Sequence, residues 1–309
     1  MSTDLDVRDE FSYIDDQART LGVAAPTVRR LSLTLPDGRT LSALRYGGDE
    51  PVVVFLHGAG LNAHTWDATV LALGLPALAI DLAGHGDSSW REDLDYSPRT
   101  LAADVAVVLG SWGTGPLTVV GQSLGGLTGA ALAAAHPELV HALVVVDITP
   151  GIDTTAGPAE LREFYRVVDA GSRDELVERA MSFGLGGDRA ATARGVFLNT
   201  RVRPDGRVEW KHHFAHLAAQ LLATPAADPS GSAAGPILDA SGWDDLAETA
   251  APILLVRGSR GFVDETAAAE FAARVPDARI LTVEAPHNVQ EVAPIELAGI
   301  VRPLASDGL

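Results

Sequence analysis

Short apolar runs rich in β-branched residues alternate with longer amphipathic stretches along most of this chain. Val52–Leu56, Ala77–Ile80, Leu117–Val120, Leu143–Val146 and Ile253–Val256 are almost wholly apolar, as strands covered on both faces must be. Thr100–Leu109, Leu124–Ala135, Glu265–Arg274 and Pro294–Val301 space their apolar residues three and four apart, the pattern of helices that bury one side. Strand and helix in alternation predict an α/β fold, a mostly parallel central sheet flanked by helices. Val28–Leu35 and Leu41–Tyr46 flank the tight-turn sequence Pro36-Asp37-Gly38, so they are expected to pair as an antiparallel hairpin at the sheet edge.

Between Asp147 and Pro252 the strand rhythm stops. Ala159–Asp169, Ser172–Phe183 and Arg189–Asn199 read as helices, the second opening on the capping box Ser172-x-x-Glu175. A turn at Arg203-Pro204-Asp205-Gly206 and a helix around Trp210–Leu222 follow. Thr224–Pro236, made largely of Ala, Pro, Ser, Gly and Asp, reads as a mobile linker. The expected organisation is a core from 1–147 and 243–309, with 148–242 inserted as a mainly helical cap, or lid.

Composition narrows the function classes. The chain has 309 residues, of which 47% are hydrophobic and 21% charged, enough apolar material for a real core and far from the signature of disorder. A formal net charge of −18 repels phosphate backbones and anionic lipid, so neither nucleic acid nor a membrane is expected as a partner. Cysteine is absent, which removes disulfides, thiolate metal sites and a cysteine nucleophile. Residues 1–10 lack the basic start and apolar run of a secretory signal, and no run of about 18 apolar residues occurs. A soluble, cytoplasmic protein is expected.

The chemistry starts at Gly121-Gln122-Ser123-Leu124-Gly125, which ends an apolar run and opens an amphipathic one. This is the G-x-S-x-G nucleophile elbow, in which glycines allow the close backbone approach and the serine is held strained with its hydroxyl outward. With 31 glycines in the chain, chance would supply roughly 0.16 such matches, so the strand before and the helix after give the motif its weight. A serine hydroxyl needs a neighbouring base. Among nine histidines, His287 in Pro286-His287-Asn288 sits in a loop after the strand Arg279–Val283, at the same sheet end as Ser123, and is the expected base. His57 follows a central strand beside glycines but is not chosen, and His64, His136 and His141 read as surface or packing residues.

Together these motifs resemble the α/β-hydrolase superfamily, and in particular its cap-bearing, esterase-like serine hydrolases. His57-Gly58-Ala59-Gly60 resembles the family's oxyanion loop, Asp81-Leu82-Ala83-Gly84-His85-Gly86-Asp87-Ser88 its D-x-x-G-H-G-x-S turn, and Gly121–Gly125 its elbow. His287 falls in the family's histidine loop, and the likeness covers about residues 28–147 and 243–304. The resemblance implies that the backbone N–H groups of Ala59 and Leu124 form the oxyanion hole. Asp81, Gly84, His85 and Gly86 are better explained as a hydrogen-bonded turn.

The sequence departs from the pattern at the acid. Most members carry it after the strand that corresponds to Ile253–Val256, in a G-x-x-D pattern, yet this chain reads Gly258-Ser259-Arg260-Gly261. Two carboxylates remain. Asp264 precedes a helical run and equally suits an N-cap, whereas Asp147 ends the apolar run Leu143–Val146, where a lone carboxylate needs a partner. Asp147 is preferred and Asp264 stays as the alternative.

His212 and His216 stand one helical turn apart, but no carboxylate motif accompanies them, so no metal is expected. Aromatic residues are scattered over the oxyanion loop and the insertion; His57, Trp66 and Trp210 are assigned to the substrate pocket. The expected activity is cofactor-free cleavage of a carboxylic ester, lactone or thioester through an acyl-enzyme on Ser123, with a small, apolar acyl substrate as partner. Carbon–carbon bond hydrolysis, perhydrolysis on the same triad, and ligand binding without turnover are the alternatives.

Overall fold

The computed structural model describes residues 9–48, 50–112, 115–151, 163–217 and 241–306. The expected hairpin forms: β1 (Val28–Thr34) and β2 (Thr40–Tyr46) pair antiparallel, with Leu33 opposite Leu41. The apolar runs become β3 (Val53–Leu56), β4 (Ala77–Asp81), β5 (Leu117–Gln122) and β6 (Val140–Val146). The insertion contributes β7 (Asp169–Ala170), β8 (Thr200–Val202) and β9 (Val208–Trp210), and the chain returns through β10 (Ile253–Arg260) and β11 (Arg279–Pro286). One eight-stranded sheet results, in the order β1-β2-β4-β3-β5-β6-β10-β11. From β4 to β11 every pair is parallel, so the C-terminal ends of β3, β5, β6 and β11, where the candidate residues stand, open on one edge of the sheet.

Ten α-helical segments have both ends among the described residues: α1 (Ser12–Leu21), α2 (Asp67–Leu73), α3 (Pro98–Ser111), α4 (Leu124–Ala135), α5 (Arg173–Ser182), α6 (Arg189–Asn199), α7 (Gly242–Glu248), α8 (Glu265–Arg274), α9 (Val289–Val292) and α10 (Pro294–Ser306), and residues 213–217 are helical as well. Alternate residues of each central strand face opposite layers. Val54 and Leu56 pack with α3, α4, α7 and α8, whereas Val53 and Phe55 pack with α1, α2 and α10. Burying each such side chain stabilises the fold by roughly 1.5–3 kcal/mol, which is why the apolar runs, and not the helices between them, dictate the sheet.

The insertion departs from expectation. Its described part holds α5 and α6, whose starts are capped by Ser172 and Asp188, but also a three-stranded antiparallel sheet in the order β7-β9-β8. Asp169, expected to end a helix, opens β7, and Trp210, expected to start one, closes β9. The predicted turn explains this: Gly206 adopts φ +82 and Arg203 N–H donates to Arg207 O at 2.8 Å, folding β8 back on β9. Strand partners distant in sequence then override local helical spacing. The reading of Thr224–Pro236 as a linker lies outside the described residues, as do the start of the Ala159–Asp169 run and the end of Trp210–Leu222.

A charged network ties α1 and the segment before it to the core. His64, 6% exposed, is held between Asp67 (3.0 Å) and Glu10 (3.2 Å), and Arg30 pairs with Glu10 (2.6 Å) and Asp81 (2.8 Å). Burial alone would lower the His64 pKa, but the Asp67 charge and hydrogen bond and the Glu10 hydrogen bond outweigh it and raise it from 6.5 to about 9. The folded state thus keeps a proton that the unfolded chain releases near 6.5. Stability from this linkage is fully present below pH 6.5 and is lost as pH rises to about 9, by an amount on the order of a few kcal/mol. Melting temperature should therefore fall by several degrees between pH 6 and pH 9.5, and His64→Gln should flatten that slope; parallel slopes for the two proteins would rule out His64 as the cause.

Candidate active site

Ser123 stands at the turn from β5 into α4 with φ +53 and ψ −121. A side chain at Gly121 would place its Cβ 2.1 Å from Gly125 O, and one at Gly125 would lie 2.1 Å from Leu56 O, so only glycine permits this crossing. Among the described non-glycine residues, positive φ occurs at Leu94, Ser123 and Asp147. Two of those three are candidate catalytic residues, where backbone strain of about 1–3 kcal/mol per residue is sustained by the surrounding fold.

Asp147 follows β6 and is wholly buried. Its carboxylate accepts from three donors: Gly258 N–H at 2.9 Å, Phe262 N–H at 2.7 Å and His287 Nδ1 at 2.7 Å. The loop after β10, which lacks the usual acid, binds one instead through its amides. Gly261 makes the room, since a Cβ there would sit 2.1 Å from Asp147 Oδ2. Asp264 has a different role: it caps α8, accepting from Ala267 N–H at 2.8 Å.

His287, in the loop between β11 and α9, is thus brought to Asp147 across 140 residues of chain. Its Nε2 meets the side-chain amide of Gln122 at 2.9 Å, and Ser123 Oγ forms no hydrogen bond among the described residues. Resting hydrolytic sites commonly tighten only with substrate bound. Phe262 lies flat on the imidazole, ring centroids 3.6 Å apart and planes 15° from parallel, while remaining 47% exposed.

The oxyanion loop runs against the serine, for a Cβ at Gly58 would fall 3.2 Å from Ser123 Cβ. The N–H groups of Ala59 and Leu124 have no acceptor among the described residues, and Leu124 opens α4, whose dipole favours negative charge there. Asp81 holds the neighbouring turn, accepting from Ala63 N–H at 2.7 Å and Asp87 N–H at 3.1 Å.

The three residues assigned to the pocket are all buried. His57 is fully buried, its Nε2 accepting from Leu82 N–H at 3.0 Å and its Nδ1 donating to Gly58 O at 2.8 Å; burial holds its pKa down at about 4, so it ties β3 to β4 as a neutral ring. Trp66 has no exposure and packs on Phe55 in the α1, α2 and α10 layer. Trp210 belongs to the core of the insertion, with Phe164 and Tyr165 around it and its indole N–H on Val167 O at 3.2 Å. What faces the oxyanion loop is Tyr165 and His212: a Cβ at Gly60 would lie 3.3 Å from the Tyr165 hydroxyl and 3.9 Å from His212 Cε1. Tyr165 is one of the scattered aromatic residues of the insertion, whereas Gln122 and Phe262 escaped the reading of the sequence. Gln122 alone carried a signal, its place inside the elbow.

The described insertion is clamped over this edge by Asn62 Nδ2 on Asn199 Oδ1 (2.6 Å), Trp90 Nε1 on Lys211 O (2.7 Å) and His213 N–H on Gly84 O (2.8 Å). Among the described residues, no cluster of three or more potential ligands could hold a metal ion, and no helix is long and apolar enough to cross a membrane.

The sequence profile of the alpha/beta hydrolase fold family matches residues 51–294. The chain belongs to the α/β-hydrolase family. The resemblance read from its motifs therefore holds. It is 38% identical over 307 residues to esterase Rv0045c of Mycobacterium tuberculosis, covering 95% of each. The crystal structure of that esterase superposes with a TM-score of 0.74 at 36% identity, over 97% of this chain and 99% of the other. A more distant relative is 2-(acetamidomethylene)succinate hydrolase of Mesorhizobium japonicum, 29% identical over 83% of this chain and 88% of its own. Within this α/β hydrolase, the altered loop after β10 and the carboxylate after β6 form one unit.

Proposed function

We infer that this α/β hydrolase cleaves carboxylic esters, or their lactone and thioester analogues, through an acyl-enzyme on Ser123. The observation that carries this reading is the 2.7 Å bond from His287 to the buried Asp147, beside a serine whose strained elbow keeps it at the sheet's open edge. Ser123 Oγ attacks the ester carbonyl while its proton passes to His287 Nε2, and the developing oxyanion takes hydrogen bonds from the Ala59 and Leu124 N–H groups. The alkoxide leaves with that proton. Water, deprotonated in turn by His287, attacks the acyl carbon and frees Ser123 and the carboxylic acid. Asp147 stays ionised throughout, holding the proton on Nδ1 and stabilising the imidazolium.

The segment 148–242 serves as the cap, excluding water so that the dipoles beneath it act in a low dielectric. A neutral, apolar acyl group suits the site. Burial keeps His212, which faces the oxyanion loop, from protonating in the ordinary range, and the net charge of −18 disfavours anionic acyl chains. The mycobacterial esterase relative supports the same bond class.

A fluorophosphonate probe together with a panel of nitrophenyl esters and lactones tests this. One probe should be incorporated per chain, at Ser123, and short neutral acyl esters should turn over many times and faster than acyl chains bearing a carboxylate. Labelling without turnover would make the protein a ligand binder on the same fold.

A further inference from the structure

The residue before the nucleophile occupies the position that the nucleophile's proton needs. Gln122 ends β5 with its side chain buried; its Nε2 lies 2.9 Å from His287 Nε2 and 3.3 Å from His287 O. The orientation of that amide follows from chemistry. A backbone carbonyl can only accept, so the Gln122 atom shared between His287 O and the ring is the NH2 group, which donates to both. The imidazole tautomer follows in the same way. Asp147 can only accept from Nδ1, so Nδ1 carries hydrogen and Nε2 presents its lone pair to Gln122.

That lone pair is the one that would take the Ser123 proton. One sp2 lone pair makes one good hydrogen bond, and in this structure an amide N–H has it while Ser123 Oγ has no partner among the described residues. The Gln122 carbonyl is left on the costly side of the arrangement. Its Oε1 is buried without any hydrogen-bond partner among the described residues, pressed against the oxyanion loop where a Cβ on Gly58 would sit 2.1 Å away. A buried unsatisfied acceptor raises the free energy of the state that contains it, so the arrangement is held but poised to change.

We propose that Gln122 is a positioning residue that latches His287 in the resting enzyme, its amide N–H occupying Nε2 until substrate binding exchanges it for the Ser123 hydroxyl. The latch has two effects. It matches the Nδ1–H tautomer that Asp147 fixes, the one competent as a base, before substrate arrives. It also holds the serine unactivated, so that its nucleophilicity depends on exchange at a single lone pair. The proposal rests on the reading of Ser123 and His287 as nucleophile and base.

Gln122→Met keeps the side-chain length and removes the donor. Two measurements on it decide the matter: the second-order rate at which a fluorophosphonate labels Ser123, and the 15N resonance of His287 Nε2 at a pH where the ring is neutral, assigned by its loss in His287→Ala. Losing one neutral hydrogen bond that competes with the serine should speed labelling about 2- to 10-fold, and the Nε2 resonance should shift as the serine hydroxyl replaces the amide N–H as its donor. Gln122→Asn, too short to reach the ring, should behave alike, which guards against a packing effect peculiar to methionine. An Nε2 resonance that stays in place in the folded variants overturns the latch whatever the rate does, and so does labelling at or below the wild-type rate. If wild-type Ser123 is never labelled, the hydrolase reading falls instead, and the ring resonance still reports on Gln122.

Discussion

Ser123→Ala should lower ester turnover by about a million-fold while leaving the fold intact, measured as nitrophenyl-ester hydrolysis with circular dichroism as the folding control. The size follows from the way a triad acts as a unit: without the nucleophile, base and acid have nothing to activate, and only oxyanion stabilisation and binding remain. Because Ser123 sits at φ +53, the substitution retains a strained backbone that the glycines on either side and the Ser123 N–H to Val146 O bond at 3.0 Å already hold. Alanine is thus a clean deletion of the hydroxyl. Activity within tenfold of wild type would end the proposed covalent route, and no change in the roles of His287 or Asp147 could rescue it.

Asp147→Asn should cost about ten-thousand-fold in kcat, with Asp264→Asn leaving kcat essentially unchanged. The asparagine side chain that replaces Asp147 would keep its oxygen for the Gly258 amide at 2.9 Å and set its NH2 group where the other carboxylate oxygen meets both the Phe262 amide and His287. Its NH2 would then face His287. A donor facing Nδ1 forces the ring proton onto Nε2, the wrong tautomer, and a base without its lone pair cannot take the serine proton. Asp264, by contrast, accepts from Ala267 N–H at the start of α8 and has no contact with His287 among the described residues. Asparagine also caps helices well, so that substitution should change stability by under about 1 kcal/mol. The opposite ranking of the two variants would return the acid to the loop after β10.

These contrasts show how much of the site was legible in one dimension. The elbow is a local object: Gly121, Ser123 and Gly125 lie within five consecutive residues, and their steric demands can be read from the motif itself. The acid is not local. Asp147 and Asp264 both precede plausible structure, and what separates them is that β6 and β10 pair in register, Val146 beside Val256, which carries the Gly258 and Phe262 amides to one carboxylate and away from the other. The surroundings of the residues assigned to the pocket were hidden for a related reason. An aromatic residue reads alike whether it faces the site or the opposite layer, and only packing put Trp66 on Phe55 beneath the sheet.

The sequence by itself determined the strand and helix alternation, the edge hairpin, the elbow with its candidate nucleophile and the candidate histidine, because burial periodicity and turn chemistry act over a few residues. Tertiary structure decided which candidate carboxylate meets His287, the strands within the insertion, the buried His64 network and the amide that Gln122 lends to His287. Each of these depends on partners from separate elements meeting in space, and a hydrogen bond between such partners leaves no period, spacing or composition in the chain that encodes it.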